Sequence, residues 1–283
     1  MDFRADPRAV FEQDDSALAL HARRRWLAGA GRARSKARQC VREIAAAQQP
    51  DGSWDGRTSV TIRRMFELWL LADKRGDAMH RGVDWLTQLG RPPMQHKHYY
   101  GLFFRIPNEG VPALHGMPDV PFTPGCSGIM KSGAAMFFAC QLGRENQPHI
   151  ARAFASAKKL PALPKNQGRW CSPSCGENLF QAFAVHPTLA GSDAVRRYVA
   201  YLADQQKPTG RFDSRTPFFP VVWGLSRLRF KAARAVFART LPAIARAQRK
   251  DGAWGPRNRQ LNAFIVLDSL ERAGIELDWP SAP

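Results

Sequence analysis

Three short segments of this chain recur at one fixed interval, and that interval constrains the fold more than any other feature. Gly168, Gly210 and Gly252 are 42 residues apart, and each is followed two positions later by an aromatic residue. A related copy, Asp-Gly-Ser-Trp, occupies residues 51–54. Each copy follows one helical pattern and precedes another. Repeats of this length that join two helices are typical of helical-hairpin repeat proteins.

The helical patterns around these turns predict two layers of helices. The patterns before the turns cover about residues 40–47, 193–206 and 233–247, and those after them cover about 61–71, 218–228 and 261–270. Helices before the turns carry Arg or Lys on one side, whereas helices after them are more uniformly apolar, so we expect outer and inner helices, respectively. Hairpins of this kind repeated around an axis predict an all-α protein, a single (α/α) toroid of about five hairpins plus an N-terminal helix.

The chain is expected to form one domain with one irregular region. Residues 1–30 are predicted to hold an N-terminal helix that caps or closes the ring, and residues 31–283 are predicted to form the toroid. The repeat breaks at about residues 91–125, a stretch with seven prolines and a cluster of aromatic rings and imidazoles. Long insertions in compact domains often act as functional lids or walls.

The repeated turn itself is expected to be structural. Glycine permits backbone conformations that other residues avoid, and the aromatic ring can fill the gap between adjacent hairpins. A glutamine lies four residues before the glycine in three copies, at Gln48, Gln206 and Gln248. We expect these glutamines to bond the free amides that open each inner helix.

The chain carries a large excess of positive charge. The formal net charge is +18, and Lys supplies only ten of the 42 cationic residues, so Arg dominates. This charge predicts attraction to nucleic acid, acidic lipid or a diphosphate, and the planar guanidinium suits phosphate. A GC-rich genome that places Arg on solvated faces explains the same composition. Without a long apolar run or a signal-like N-terminus, we expect a cytoplasmic protein, with peripheral membrane contact as a further expectation.

Two intact copies of the repeat carry a family resemblance. Residues 48–54 (Gln-Gln-Pro-Asp-Gly-Ser-Trp) and 248–254 (Gln-Arg-Lys-Asp-Gly-Ala-Trp) resemble the QW repeats of squalene-hopene cyclases and the related repeats of protein prenyltransferase β subunits. With degenerate copies at Trp170 and Phe212, the resemblance covers about residues 39–274. It implies a toroid whose active members handle polyisoprenoid chains in an aromatic-lined cavity, and it allows a separate partner subunit, as in the prenyltransferases.

The departures from these families limit the chemistry that the resemblance implies. The chain has no Asp-x-Asp-Asp acid, no Asp-Asp-x-x-Asp motif and no Asp-x-Cys zinc pair. The resemblance therefore favours a terpenoid cyclase-like or prenyltransferase-like enzyme. Its substrate would be an isoprenoid, or a similar long apolar molecule with an anionic head, and its mechanism would not be the usual Asp-x-Asp-Asp protonation.

Three cysteines suggest a metal site. Cys171 and Cys175 flank the predicted start of the third inner helix, and Cys126 shortly precedes the second. Because all inner helices of a toroid start at the same end, these sulfurs would share one rim. Three thiolates and an imidazole complete a tetrahedral Zn²⁺ site, with His115 as the preferred fourth ligand and His186 as the weaker one. Ordinary rim thiols, or a catalytic cysteine at Cys126 or Cys171, are the alternatives.

Basic and aromatic residues predict how a substrate would be held. The candidate contacts to an anionic head lie at or near the turns that open inner helices: Lys131, Arg169, Arg211, Arg215 and Arg257. The candidate cavity lining comes from the inner helices: Trp69, Phe137, Phe180 and Trp223. Helix N-termini favour anions, and aromatic faces stabilise cations, so such a cavity could hold a charged head and shelter a carbocation.

A non-catalytic function is the alternative. Arg34, Arg38 and Arg42 form a stripe along the first outer helix, and such stripes can bind an acidic membrane surface or nucleic acid. No zinc finger, RNA-recognition motif or helix-turn-helix signal accompanies the stripe, which argues against sequence-specific nucleic-acid recognition. An open aromatic cavity with a basic mouth would favour the enzyme, whereas a plugged barrel with charge only outside would favour a scaffold.

Overall fold

The computed structural model describes residues 3–12, 14–27, 31–88, 104, 119–123, 127–173 and 176–275. Within these ranges the chain forms eleven α-helices and no β-strand. The helices are α1 (Ala17–Trp26), α2 (Gly31–Ala46), α3 (Thr58–Leu71), α4 (Asp77–Leu86), α5 (Ser127–Gln141), α6 (Pro148–Lys158), α7 (Gly176–Val185), α8 (Asp193–Gln205), α9 (Phe218–Leu225), α10 (Lys231–Ala247) and α11 (Arg259–Arg272). Short 3-10 turns cover Pro7–Phe11, Leu160–Ala162 and Pro164–Asn166. None of the described helices is both long and apolar enough to cross a bilayer.

The odd-numbered helices form a closed inner ring. Helix α1 packs on α3, α3 on α5, α5 on α7, α7 on α9, α9 on α11, and α11 returns to α1. The even-numbered helices lie outside this ring. Inner helices are more buried than outer ones. Every residue of α7 from Gly176 to Ala184 is buried, whereas only Ala33, Ala37 and Ile44 are buried in α2. The chain is therefore an all-α, single (α/α) toroid, as the repeat predicts, and its N-terminal helix α1 lies in the inner ring.

The four repeated turns share one backbone conformation. Gly52, Gly168, Gly210 and Gly252 all have positive φ, between 80° and 92°. A Cβ on Gly210 would lie 2.2 Å from the carbonyl oxygen of Arg239, and one on Gly52 would lie 2.4 Å from a carbonyl oxygen of α4. Glycine is needed here both for the left-handed backbone and for the close approach of the next hairpin.

The side-chain nitrogens of these glutamines donate to carbonyl groups, and none of the glutamines bonds the amides that open its inner helix, so that expectation was wrong. The Gln48 side-chain nitrogen donates to the Gly52 carbonyl at 2.9 Å and to the Ala78 carbonyl at 2.8 Å. Gln206 bonds the equivalent carbonyls of Gly210 and Val236, at 3.2 and 3.1 Å. Each of these side chains therefore joins its own turn to the next outer helix and does not bond the inner helix that follows it.

The last repeat uses the same bonds to close the ring. The Gln248 side chain donates to the Ala5 carbonyl at 2.7 Å and accepts the Arg4 amide at 2.6 Å. Gly252 faces the Asp6 carbonyl, where an added Cβ would lie 2.6 Å away. The N-terminal segment therefore takes the place that the next outer helix occupies in the other repeats.

Candidate functional site

Aromatic rings from four inner helices meet inside the barrel. This ring cluster consists of Phe66 and Trp69 on α3, Phe137 on α5, Trp223 on α9 and Phe264 on α11. The ring centroids of Trp69 lie 5.8 Å from Phe137 and 5.9 Å from Trp223. Because α3 and α9 are not neighbours in the inner ring, the contact between the two tryptophans crosses the barrel. The rings fill the barrel at this level, so this part of the interior has the plugged form expected of a scaffold and not the open cavity expected of the enzyme.

Three of the four predicted lining residues, Trp69, Phe137 and Trp223, belong to this cluster. The fourth, Phe180, packs outward instead, with its ring centroid 4.9 Å from Tyr198 on the outer helix α8. An added Cβ at Gly224 would strike the Phe180 ring, so this ring also fills the space between α7 and α9. It is therefore held between helices and does not join the ring cluster.

A carboxyl group is buried at the start of α7. Glu177 is fully buried, and the Thr123 hydroxyl donates a hydrogen bond to its Oε1. The neighbouring Asn178 holds the backbone of Thr123 from both sides, because its amide oxygen accepts the Thr123 N–H and its amide nitrogen donates to the Thr123 carbonyl, each at 3.0 Å. This clamp fixes the hydroxyl against the acid.

The same segment connects the acid to the ring cluster. Phe122 precedes Thr123, and its ring centroid lies 5.6 Å from that of Phe137. Two consecutive residues, whose Cα atoms are about 3.8 Å apart, thus contact the Glu177 carboxyl and the ring cluster. An acid and an aromatic surface are brought together by residues from three parts of the chain.

The environment of Glu177 sets its charge. Burial raises the pKa of Glu177 to about 8, and the hydrogen bond from Thr123, which favours the ionised form, is too weak to reverse this. The carboxyl is therefore mostly protonated at neutral pH. Its Oε2 has no hydrogen-bond partner among the residues that the structure describes. A neutral acid with a free oxygen in an apolar site is suited to donate a proton.

A second buried carboxyl, Asp268 on α11, lies on the other side of the ring cluster. The Trp223 indole and Arg272 Nε each donate to its Oδ2 at 2.7 Å. Arg227 lies 3.5 Å from the same oxygen, and its guanidinium carbon stands 3.7 Å from the Trp223 ring centroid. Burial opposes ionisation of Asp268, but Arg227 and Arg272 outweigh it and hold its pKa below the usual value. This charged group holds Trp223 in place.

The predicted anion-binding cations lie at the turns or, for Lys131, within an inner helix, and three of them already contact groups of the protein. Lys131 is buried in α5 and Arg169 is half-buried. The other three are exposed: Arg211, Arg215 and Arg257. The guanidinium groups of Arg169 and Arg211 each stack 5.0 Å from a ring centroid, that of Tyr201 and that of Phe218. Arg215 pairs with Asp213 at 3.3 Å. The proposed contacts of these cations with an anionic head stay a prediction.

Most of the predicted zinc ligands, Cys126, Cys175 and His115, lie outside the described residues. Cys171 is half-buried. His186 accepts the backbone amides of Thr188 and Leu189 on Nδ1, each at 3.2 Å. The described parts of the chain contain no group of three or more side chains placed to bind a metal ion. The Zn²⁺ site stays a prediction.

Comparisons with known proteins agree on the architecture. No protein-family model and no curated protein matches the chain. A variant of the type II terpene cyclase MstE from Scytonema, in complex with geranylgeranyl dihydroxybenzoate as substrate, superposes with a TM-score of 0.56 at 13% identity, over 94% of this chain and 86% of that one. MstE without ligand also gives 0.56 at 13% identity, over 95% and 88%. A protein from Actinoplanes gives 0.56 at 15% identity, over 95% and 90%.

These similarities define the class of fold. The chain shares its toroid fold with the type II terpene cyclase MstE, the fold that the resemblance of its repeats implies. At this level of identity the likeness concerns the fold, and the activity has to be argued from the site.

Sequence reasoning missed Glu177. An acidic residue in the first turn of a helix is ordinarily a partner of the helix dipole, so its position alone does not distinguish it. The available signal was composition, because Glu177 is the one charged residue in the otherwise apolar or neutral helix α7. Its partner Thr123 lies 54 residues earlier, which no local pattern reveals.

Proposed function

We propose that this protein is a terpenoid cyclase-like enzyme in which Glu177 donates the proton that starts cyclisation of a polyisoprenoid chain. The observation that carries the proposal is the junction at Phe122 and Thr123, which connects a buried carboxyl to the aromatic ring cluster. Cyclisation started by protonation needs an acid that is neutral before the reaction and a surface that stabilises the cation formed. The junction unites both requirements.

The reaction would proceed as an isomerisation. The substrate would lie on the side of the ring cluster where the inner helices begin, because the rings fill the barrel beyond that level. Glu177 transfers its proton to a terminal alkene, which leaves a tertiary carbocation. The π electrons of a neighbouring double bond then form a ring carbon–carbon bond, and a proton is lost from the final cation. Substrate and product have the same composition, and Glu177 regains a proton before the next turnover.

Two further observations support an isoprenoid substrate. MstE, which shares the fold, is a type II terpene cyclase described in complex with a geranylgeranyl-bearing substrate. The strong positive charge of this chain is suited to a substrate with an anionic head, such as a carboxylate or diphosphate. Since such substrates partition into bilayers, peripheral membrane contact belongs to the same proposal.

Isotope incorporation tests the mechanism directly. The protein is incubated with geranylgeranyl diphosphate or geranylgeranyl dihydroxybenzoate in H₂O and in D₂O, and the products are analysed by mass spectrometry. We expect a cyclised isomer of unchanged mass in H₂O that carries one deuterium from D₂O. A product that has lost diphosphate would indicate ionisation of the substrate and contradict protonation.

Two variants assign the proton donor. Glu177→Gln keeps the shape and removes the transferable proton, so we expect turnover to fall by roughly 10²–10⁴-fold. Glu145→Gln, which changes a buried glutamate between α5 and α6, is the matched control and should retain activity. Equal activity of the Glu177→Gln variant and the wild type would show that another group protonates the substrate.

A further inference from the structure

A basic cavity lies at the opposite end of the barrel from Glu177. It has a volume of about 410 Å³, is open to solvent, and is lined by residues of α1, α2 and the end of α3. Its charged and polar lining comprises His21, Arg24, Arg25, Arg34, Arg38 and Asp73. Four guanidinium groups therefore face this cavity with a single carboxylate among them.

Four of these six lining residues have a structural role. His21 Nδ1 bonds the Leu70 carbonyl at 2.8 Å, and Arg24 donates to the Leu71 carbonyl at 2.5 Å and pairs with Asp73. These contacts satisfy the last carbonyls of α3, which have no partner within the helix. Arg25 is paired as well, because its Nε donates to a carboxylate of α11 at 2.9 Å.

Arg34 and Arg38 are not neutralised in this way. Arg34 forms no ion pair with any residue in the described ranges, and the closest carboxylate oxygen to Arg38 belongs to Asp73, 3.9 Å away and already paired with Arg24. The two side chains are four residues apart on α2, so they are neighbours on one helix face and repel each other. An anion between them would remove this repulsion.

We propose that this cavity binds a phosphate group. Guanidinium groups donate paired hydrogen bonds that match the oxygens of phosphate, and a cavity of about 410 Å³ falls within the range of small-molecule sites. The ligand is either a soluble phosphorylated molecule or the phosphate of a lipid headgroup.

This site is separate from the proposed proton donor. His21 borders the cavity, and its ring centroid lies 5.5 Å from that of Phe264, a member of the ring cluster. The cluster therefore lies between the cavity and the Phe122–Thr123 junction. Phosphate binding here does not depend on whether Glu177 is catalytic.

Calorimetry with inorganic pyrophosphate tests the site. The wild type is compared with Arg34→Gln/Arg38→Gln and with Arg32→Gln/Arg42→Gln. Both pairs are exposed positions of α2 and carry the same charge, but only the first pair lines the cavity. Circular dichroism checks that each protein is folded. We expect the first variant to bind at least about tenfold more weakly and the second to resemble the wild type. Absence of binding to the wild type, or equal weakening in both variants, would overturn the proposal.

Vesicle sedimentation distinguishes the two sources of phosphate. The three proteins are mixed with phosphatidylcholine vesicles with and without phosphatidic acid. Binding to the acidic vesicles that Arg34→Gln/Arg38→Gln lowers and pyrophosphate displaces would identify a lipid headgroup. Pyrophosphate binding without vesicle binding would identify a soluble ligand. Vesicle binding that both double variants lower equally would show general attraction to a basic surface and would contradict a phosphate site.

Discussion

Glu177 and Asp268 are both carboxyls buried inside the toroid, yet their surroundings give them opposite charge states. Glu177 has one hydroxyl donor, from Thr123, so burial dominates and favours its neutral form. Asp268 has an indole donor and three nearby guanidinium groups, those of Arg25, Arg227 and Arg272. The indole, Arg227 and Arg272 favour its ionised form. Burial alone therefore does not determine charge; the number and charge of the partners do. One residue is suited to donate a proton and the other to hold a tryptophan.

The raised pKa of Glu177 predicts a pH-dependent stability. Its pKa is about 8 in the folded protein against an ordinary value of 4.5, so the native state keeps a proton that the unfolded state releases between these pH values. The free energy of unfolding of the wild type therefore falls as pH rises through this interval. The free energy of unfolding of Glu177→Gln does not fall in this way. The difference between the variant and the wild type should therefore shift in favour of the variant by a few kcal/mol as pH rises. Urea unfolding at pH 5 and pH 8 measures it; an equal difference at both values would contradict the assignment.

Removing the charge of Asp268 should destabilise the protein. Asp268→Asn removes the negative partner of Arg227, whose side chain is only 6% exposed, and leaves its charge uncompensated. Loss of one partner of a buried pair costs about 3–5 kcal/mol, which denaturant unfolding measures. Adding Arg227→Met should recover part of the loss. If the double variant is no more stable than Asp268→Asn, the cost does not come from the unpaired arginine.

At the scale of helices, the spacing of α5 and α7 controls the proposed site. Gly133 on α5 faces the backbone of Asn178, where an added Cβ would lie 2.5 Å from the carbonyl oxygen. This close approach brings Asn178 and Glu177 within reach of the segment that precedes α5. The clamp on Thr123 therefore depends on a glycine in a different helix.

Gly133→Ala should separate these two helices. Alanine in a helix interior normally stabilises by about 1 kcal/mol relative to glycine, but here the new methyl group overlaps a backbone atom. We expect a net loss of about 1–3 kcal/mol and lower activity, because the Thr123 clamp is displaced. Gly31→Ala on α2, where nothing lies within 4 Å, is the control and should be neutral or stabilising. A Gly133→Ala protein as stable as the control would show that the helices adjust without cost.

The sequence predicted the positions of some helices well, but it did not predict the orientation of α7 or the contacts between distant segments. Local periodicity placed α3 near residues 61–71, against Thr58–Leu71 in the structure, because an amphipathic or apolar run with turns at both ends is a local signal. The side of α7 that faces the axis was not predictable. Every residue from Gly176 to Ala184 is buried, including the polar residues Glu177, Asn178 and Gln181, so polarity does not mark the side of α7 that faces outward. The partnership of Glu177 with Thr123 depends on packing between distant segments.

At the scale of the whole molecule, the toroid is closed by contacts between its two ends. Gln248 and Ala5 are 243 residues apart and form the bond that Gln48 forms with the next hairpin along the chain. Ring closure also places α1 between α3 and α11, where His21 contacts both the basic cavity and Phe264. The phosphate site proposed above therefore exists only in the closed ring.

Gln248→Ala should loosen this closure selectively. The variant loses its hydrogen bonds to the backbone of Arg4 and Ala5, whereas Gln48→Ala loses the equivalent bond to Ala78 between hairpins that are adjacent in sequence. Each substitution should cost about 1–3 kcal/mol, because partly buried carbonyls lose their donor. Amide hydrogen exchange distinguishes the two variants. Only Gln248→Ala should increase amide exchange in residues 3–12 and in α1, since these segments are joined to the last hairpin through space and not through the chain. Unchanged protection there would show that packing of α1 between α3 and α11 closes the ring without this glutamine.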